Sequence, residues 1–189
     1  MGSKNLKLFV VLLGARESGY LFEQHKYFFC VASGLEEIKT KAKEFWPRAN
    51  VLHIDAYICL ERVAGYGVVV EDRYPGKVFD EQIESTQSMC ERLFFINLGG
   101  YREGYFGEVH KQIFVVAADK AEAKTLAKQD SFFEDKTLIQ AKESYPDVDD
   151  MVCVNDLNLG GYDLVLEEID NPFPIKESEV VVTGGFLRI

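Results

Sequence analysis

The chain has 189 residues, 47% of them hydrophobic and 13% aromatic, and a formal net charge of −10. That is enough apolar material for a sizeable core, in one domain or in two small packed ones. An acidic surface repels phosphate backbones and anionic lipid, so the composition argues against nucleic acid and membrane as partners, and no apolar run reaches the length of a membrane span.

In chain order, Met1–Gly14 (MGSKNLKLFVVLLG) holds a short apolar run without the small-residue cleavage site of a secretion signal. Met1-Gly2 is followed by Leu6 where N-myristoylation wants Ser or Thr. Leu6–Leu13 therefore reads as a buried strand. Gly14–Glu23 reads as a glycine-marked loop and Lys26–Ala32 as a second strand. Ser33-Gly34-Leu35-Glu36 has the S-x-x-E form of a capping box. Leu35, Ile38, Ala42, Phe45 and Trp46 follow at helical spacing until Trp46-Pro47 stops the helix. Strands near His53–Glu61 and Tyr66–Glu71 complete a ββαββ unit. Arg73–Cys90, opened by Pro75-Gly76, reads as a linker. A second unit follows, with strands at Leu93–Leu98 and Gln112–Ala117, a helix opened by Asp119 with Glu122 three residues on, and strands at Met151–Asp156 and Tyr162–Glu167. Asp130–Pro146 is an insertion. The tail, Asn171–Ile189, ends in EVVVTGGFLRI, a strand or a hairpin turning at Gly184-Gly185.

The second unit is a copy of the first. With Leu8 laid over Leu93, no gap is needed as far as Lys43 over Lys128, and close to half of the pairs are identical, including Leu13/Leu98, Gly14/Gly99, Gly19/Gly104, Tyr20/Tyr105, Glu23/Glu108, His25/His110 and Phe29/Phe114. Farther on, Asp55 meets Asp149, Cys59 meets Cys153, Gly65 meets Gly161 and Tyr66 meets Tyr162. Self-similarity on this scale marks a duplicated structural unit. The expected fold is thus α+β, with two tandem ββαββ repeats related by a pseudo-twofold axis. Residues 1–74 are the first repeat, 75–91 the linker, and 92–189 the second repeat with its insertion near 130–146 and its strand tail.

Two of the three histidines fall at one matched position, in Glu23-x-His25 and Glu108-x-His110. Residues two apart on an extended segment face the same side, which sets a carboxylate beside an imidazole. Such a pair can fix a turn by bonding loop backbone, move a proton, bind a small ligand or ligate a metal. His53-x-Asp55 again places two polar groups on one face, but Asp147 stands where His53 would recur. That mismatch leaves each Glu-x-His pair short of a shared third ligand, so neither metal nor cofactor is expected. Arg16 and Arg102, beside the matched Gly19 and Gly104 loops, are candidate anion clamps. The Leu98-Gly99-Gly100 run lacks the G-K-[ST] of a phosphate loop and reads as backbone freedom after a strand. The binding candidates are therefore Arg16, Glu23, His25, Asp55, Arg102, Glu108, His110 and Asp149. Cys30, Cys59, Cys90 and Cys153 form no C-x-x-C pair and read as reduced, buried thiols of a cytoplasmic protein.

The stretches LFVVLLGARESGYLFEQHKYFFCVASGLEEI, FWPRANVLHIDAY and LFFINLGGYREGYFGEVHKQIFVVAADKAEA resemble the bacterial family called domain of unknown function 1543, whose members carry one or two copies of such a unit. The resemblance spans about Leu6–Glu71 and Leu93–Glu167. Tyr57 stands where Trp is often expected in the family. The resemblance implies a bacterial cytoplasmic protein and supplies no reaction and no catalytic residues. The leading expectation is a non-enzymatic binding or protein-interaction module, with a protein or small-molecule partner and self-association as one form of it. Its rival is a small-ligand binder or enzyme working through the twin Glu-x-His pairs.

Overall fold

The computed structural model describes residues 5–73, 90–140, 145–169 and 180–189, the backbone alone over 180–188. The expected linker at 75–91 lies almost wholly outside the described residues, as do 141–144 of the insertion and the start of the tail. The fold is mixed α+β, mostly strands, with two helices and three small sheets among the described residues. The chain divides into two compact units, residues 1–74 with 158–189, and residues 75–157.

In the first unit, β1 (Lys7–Arg16) is flanked by β2 (Gln24–Ala32) and β3 (Val51–Cys59), both antiparallel to it. Helix α1 (Leu35–Phe45) connects β2 to β3. Alternation sends Phe9, Val11, Leu13 and Ala15 of β1 to one face. There they pack with Phe28, Cys30, Leu52 and Ile54 against Ile38, Ala42 and Trp46. The opposite face of the sheet carries Gly14. After the short β4 (Arg62–Val63) comes β5 (Tyr66–Asp72).

The second unit builds the same frame from β6 (Arg92–Tyr101), β7 (Glu108–Ala117), α2 (Lys120–Ala127) and β8 (Asp147–Cys153). Strand order is β7-β6-β8, as β2-β1-β3 in the first. Phe94, Ile96 and Leu98 pack with Val115, Ala117 and Cys153 against Ala123 and Ala127.

Several expectations need correction. β1 and β6 run on through Gly14, Gly99 and Gly100 instead of ending before them. These three glycines are absent from the positive-φ positions, unlike the turn residues Gly19 (φ 94) and Gly104 (φ 73). The capping box of α1 is one residue out of register: Gly34 is the N-cap, and Glu37, not Glu36, accepts from the Ser33 amide (3.0 Å) and hydroxyl (2.9 Å). In α2 the expected cap is present. Asp119 accepts from the Ala121 and Glu122 amides, and Glu122 reaches back to the Ala118 amide.

The last strands depart most from expectation. β9 (Tyr162–Glu168) pairs along its whole length with β5, so residues after Leu157 group with the first unit instead of the second. Of the two forms expected for the end of the tail, the strand is the one present: β10 (Val180–Arg188) lies antiparallel along β3 with a register shift between Val182 and Leu187. The part of the insertion that is described forms a one-turn 3-10 helix, Ser131–Glu134, whose first amides are met by Asp130. Cys30 and Cys153 are buried free thiols, whereas Cys90 is exposed.

Candidate functional site

Three neighbouring strands bring the first cluster together. Gly14 is the register partner of His25 on β2 and of His53 on β3, so His25, Gly14 and His53 form one row across the sheet. The row lies on the face opposite α1. Next to it the pairing of β1 with β3 slips, from Leu13↔Ile54 to Leu12↔Ala56, leaving Asp55 as the extra residue of a bulge. A bulge re-aims a side chain out of simple alternation, and here the Asp55 carboxylate lies over Gly14. A Cβ at Gly14 would meet His53 Nε2 at 2.3 Å and Asp55 Oδ2 at 2.8 Å. The glycine, repeated as Gly99 in the second unit, is thus a floor on which the site side chains rest.

The polar atoms converge. His25 Nε2 lies 3.5 Å from Glu23 Oε1 and 3.3 Å from Asp55 Oδ2. His53 Nε2 lies 3.4 Å from the same Glu23 Oε1 and 3.1 Å from Asp55 Oδ1. Each Nε2 therefore faces two carboxylates. A neutral ring nitrogen carries at most one proton and can serve one of them at a time. His53 is buried (1% exposed) and His25 is open (49%), so the cluster is rooted in the sheet and reached from one side.

The second cluster repeats this with one member fewer. Gly99 pairs with His110 and with Asp147. The β6–β8 register slips between Asn97 and Leu98, making Asp149 the extra residue as Asp55 is in the first unit. His110 Nε2 lies 3.6 Å from Glu108 Oε2 and 3.1 Å from Asp149 Oδ2. One donor atom from each of Glu108, His110 and Asp149 falls within 4.8 Å of the others, a spacing that can hold a metal ion. A Cβ at Gly99 would meet Asp149 Oδ2 at 2.0 Å. Asp147, at the His53 position, turns away: its Oδ1 accepts from the Val148 amide and lies 3.0 Å from Lys128 Nζ. These contacts hold its carboxyl below the usual range, the amide contributing most.

Of the expected residues, Glu23, His25 and Asp55 meet in one cluster and Glu108, His110 and Asp149 in the other. The arginines do not join them. Arg102 pairs with Asp135 at 3.0 Å, and Arg16 is exposed at the end of β1. Neither Glu-x-His pair takes loop backbone as its near partner; both face carboxylates. His53 and the two floor glycines are the members that sequence reasoning left outside the candidate set. The Gly14/Gly99 identity was the available signal.

No curated protein matches the chain. Among solved structures, a protein Il1583 from Idiomarina loihiensis is similar in fold, with a TM-score of 0.60 over 96% of this chain and 100% of that one, at 22% identity. Residues 20–70, which contain Glu23, His25, His53 and Asp55, match DUF1543, Domain of Unknown Function.

Proposed function

We propose that the protein is a divalent-metal-binding protein with one His–carboxylate site in each of two duplicated ββαββ units. The observation that carries this reading is the convergence of Glu108, His110 and Asp149, one donor atom from each lying within 4.8 Å of the others; in the first unit Glu23, His25, Asp55 and His53 place neighbouring polar atoms 3.1–3.5 Å apart. Donors bonded at about 2.0–2.1 Å to one tetrahedral ion sit about 3.3 Å from one another. Ordinary N–H···O hydrogen bonds are shorter, about 2.9–3.0 Å. The duplication belongs to the same proposal. Supporting it are the matched bulges at Asp55 and Asp149.

The interaction-module reading has its own support. Tyr20, Leu21 and Phe22 are exposed in the loop that leads into Glu23, and Tyr105 and Phe106 in the loop that leads into Glu108. The two readings combine in a cytoplasmic, metal-dependent binding module. Titration calorimetry of chelator-stripped protein with Zn²⁺ should find two equivalents. His25→Ala and His110→Ala should each remove one. A stripped protein that takes up no ion, or a double variant that binds as the parent does, defeats the proposal.

A further inference from the structure

We infer that Asn97 and Gln112 are positioning residues of the second cluster: Gln112 fixes the sense of the Asn97 amide, and Asn97 holds the Asp149 carboxylate where it faces His110. The inference rests on the metal reading above and extends it to two residues outside the donor set that govern its affinity.

Asn97 interrupts the apolar run of β6, between Ile96 and Leu98. Asparagine is a poor strand residue, and a partly buried amide needs partners. Alternation puts Asn97 on the face of Gly99, and Gln112 on the face of His110. The two amides oppose each other in the row next to Gly99 and His110, at the point where the β6–β8 register slips and delivers Asp149. The row on their other side holds Phe95 and Phe114, ring centroids 5.1 Å apart. Aromatic rings give the amides no strong acceptor there, so the hydrogen bonding runs along the row and toward the cluster.

Gln112 Nε2 donates to Asn97 Oδ1 at 2.7 Å. With its oxygen so engaged, the Asn97 amide turns its nitrogen the other way, and Nδ2 lies 3.5 Å from Asp149 Oδ2. The same Oδ2 lies 3.1 Å from His110 Nε2. A carboxylate oxygen has two lone pairs, so Oδ2 can accept from Asn97 and still serve the cluster. Asp149 is short, partly exposed and carried on a bulge, and the amide restrains its rotation toward solvent. In the first unit the matched positions hold Leu12 and Tyr27, which have no amide to offer. There the second nitrogen beside the bulge aspartate is His53 Nε2, 3.1 Å from Asp55 Oδ1. Asp147 replaces that histidine in the second unit, and the Asn97 amide takes over the support of the aspartate.

Zn²⁺ titration calorimetry in a His25→Ala background reads the second cluster. Asn97→Leu, which installs the residue of the first unit, should weaken Zn²⁺ binding at least about tenfold. Gln112→Glu keeps the size of the side chain and removes its donor. The Asn97 amide then flips to donate to the new carboxylate and turns its oxygen toward Asp149, so Zn²⁺ binding should again weaken about tenfold. An added negative charge acting by field alone would tighten it, so the sign separates positioning from charge. Both variants should keep the far-UV circular dichroism of the parent. Parent-like or tighter Zn²⁺ binding by either variant, or affinity lost only together with the dichroism of the fold, overturns the inference and leaves the metal reading in place. No Zn²⁺ uptake by the folded His25→Ala parent overturns both.

Discussion

Replacing the floor glycines by alanine should produce effects that run against the order of the clash distances. At Gly99 an added Cβ would lie 2.0 Å from Asp149 Oδ2, and at Gly14 it would lie 2.3 Å from His53 Nε2 and 2.8 Å from His53 Cε1. Ordinary carbon contacts are about 3.5–4.0 Å, so at either site a side chain must move by more than an ångström. Asp149 is a short, solvent-facing side chain that can swing outward. Its displacement costs little folding energy, and alanine in place of glycine recovers about 0.5–1 kcal/mol of backbone entropy. His53 is held in the sheet at 1% exposure and has no such route, and overpacking of that kind costs about 1–3 kcal/mol. Gly14→Ala should thus destabilise by about 1–2 kcal/mol net, and Gly99→Ala should be neutral within about 0.5 kcal/mol. Both should lower Zn²⁺ uptake at their own cluster. Urea unfolding followed by far-UV circular dichroism measures the two variants together, and the fluorescence of Trp46, the one tryptophan of the chain, reports the first unit. A Gly99→Ala variant less stable than Gly14→Ala would refute the reasoning, as would either variant with metal affinity intact.

Two further outcomes follow from groups outside the sites. The Ser33 amide, chiefly, and its hydroxyl hold the Glu37 carboxyl down from 4.5 to about 2, so Glu37 adds stability that is complete above its ordinary range and is lost as pH falls from 4.5 toward about 2. Glu37→Gln should lower stability by about 1 kcal/mol at neutral pH and flatten the acid limb of a melting-temperature profile in that window; an unchanged limb would contradict the cap. Thiol titration of the folded protein should modify exposed Cys90 first, while burial, which pushes the Cys30 thiol up to about 12, keeps Cys30 silent until denaturant is added. Rapid labelling of Cys30 in the native state, read by peptide mass, would show that the α1 face of the sheet is not packed as described.

Much of the frame is legible in the sequence because it follows from local periodicity. The apolar runs of β1 and β6, the amphipathic helices and the Asp119 cap each depend on residues a few positions apart. The Glu-x-His pairs are legible for the same reason, since alternation alone sets Glu23 beside His25. What escapes is fixed by neighbours across the sheet. Gly14 and Gly99 look like strand ends, yet they stay extended because histidine and aspartate side chains from adjacent strands need the space a Cβ would take. Asp55 and Asp149 reach their clusters through bulges, and a bulge is a property of a pair of strands. His53 appears as half of an isolated motif until β1 lies between it and His25. The pairing of β9 with β5 is likewise a choice of partner that periodicity does not encode.

The route of the chain also imposes an order on its folding. Residues 75–157 form a unit continuous in sequence, whose strands need only short or moderate loops to meet. The first unit closes only when 158–189 return to it, β9 to β5 and β10 to β3, and contacts so far apart in the chain form late because loop closure precedes their reward. During synthesis the second unit can fold while the first still lacks two strands. β10, the strand beside β3, is then the last part to be laid down, so the sheet that carries the first cluster is completed after the sheet that carries the second, although the cluster's residues leave the ribosome first.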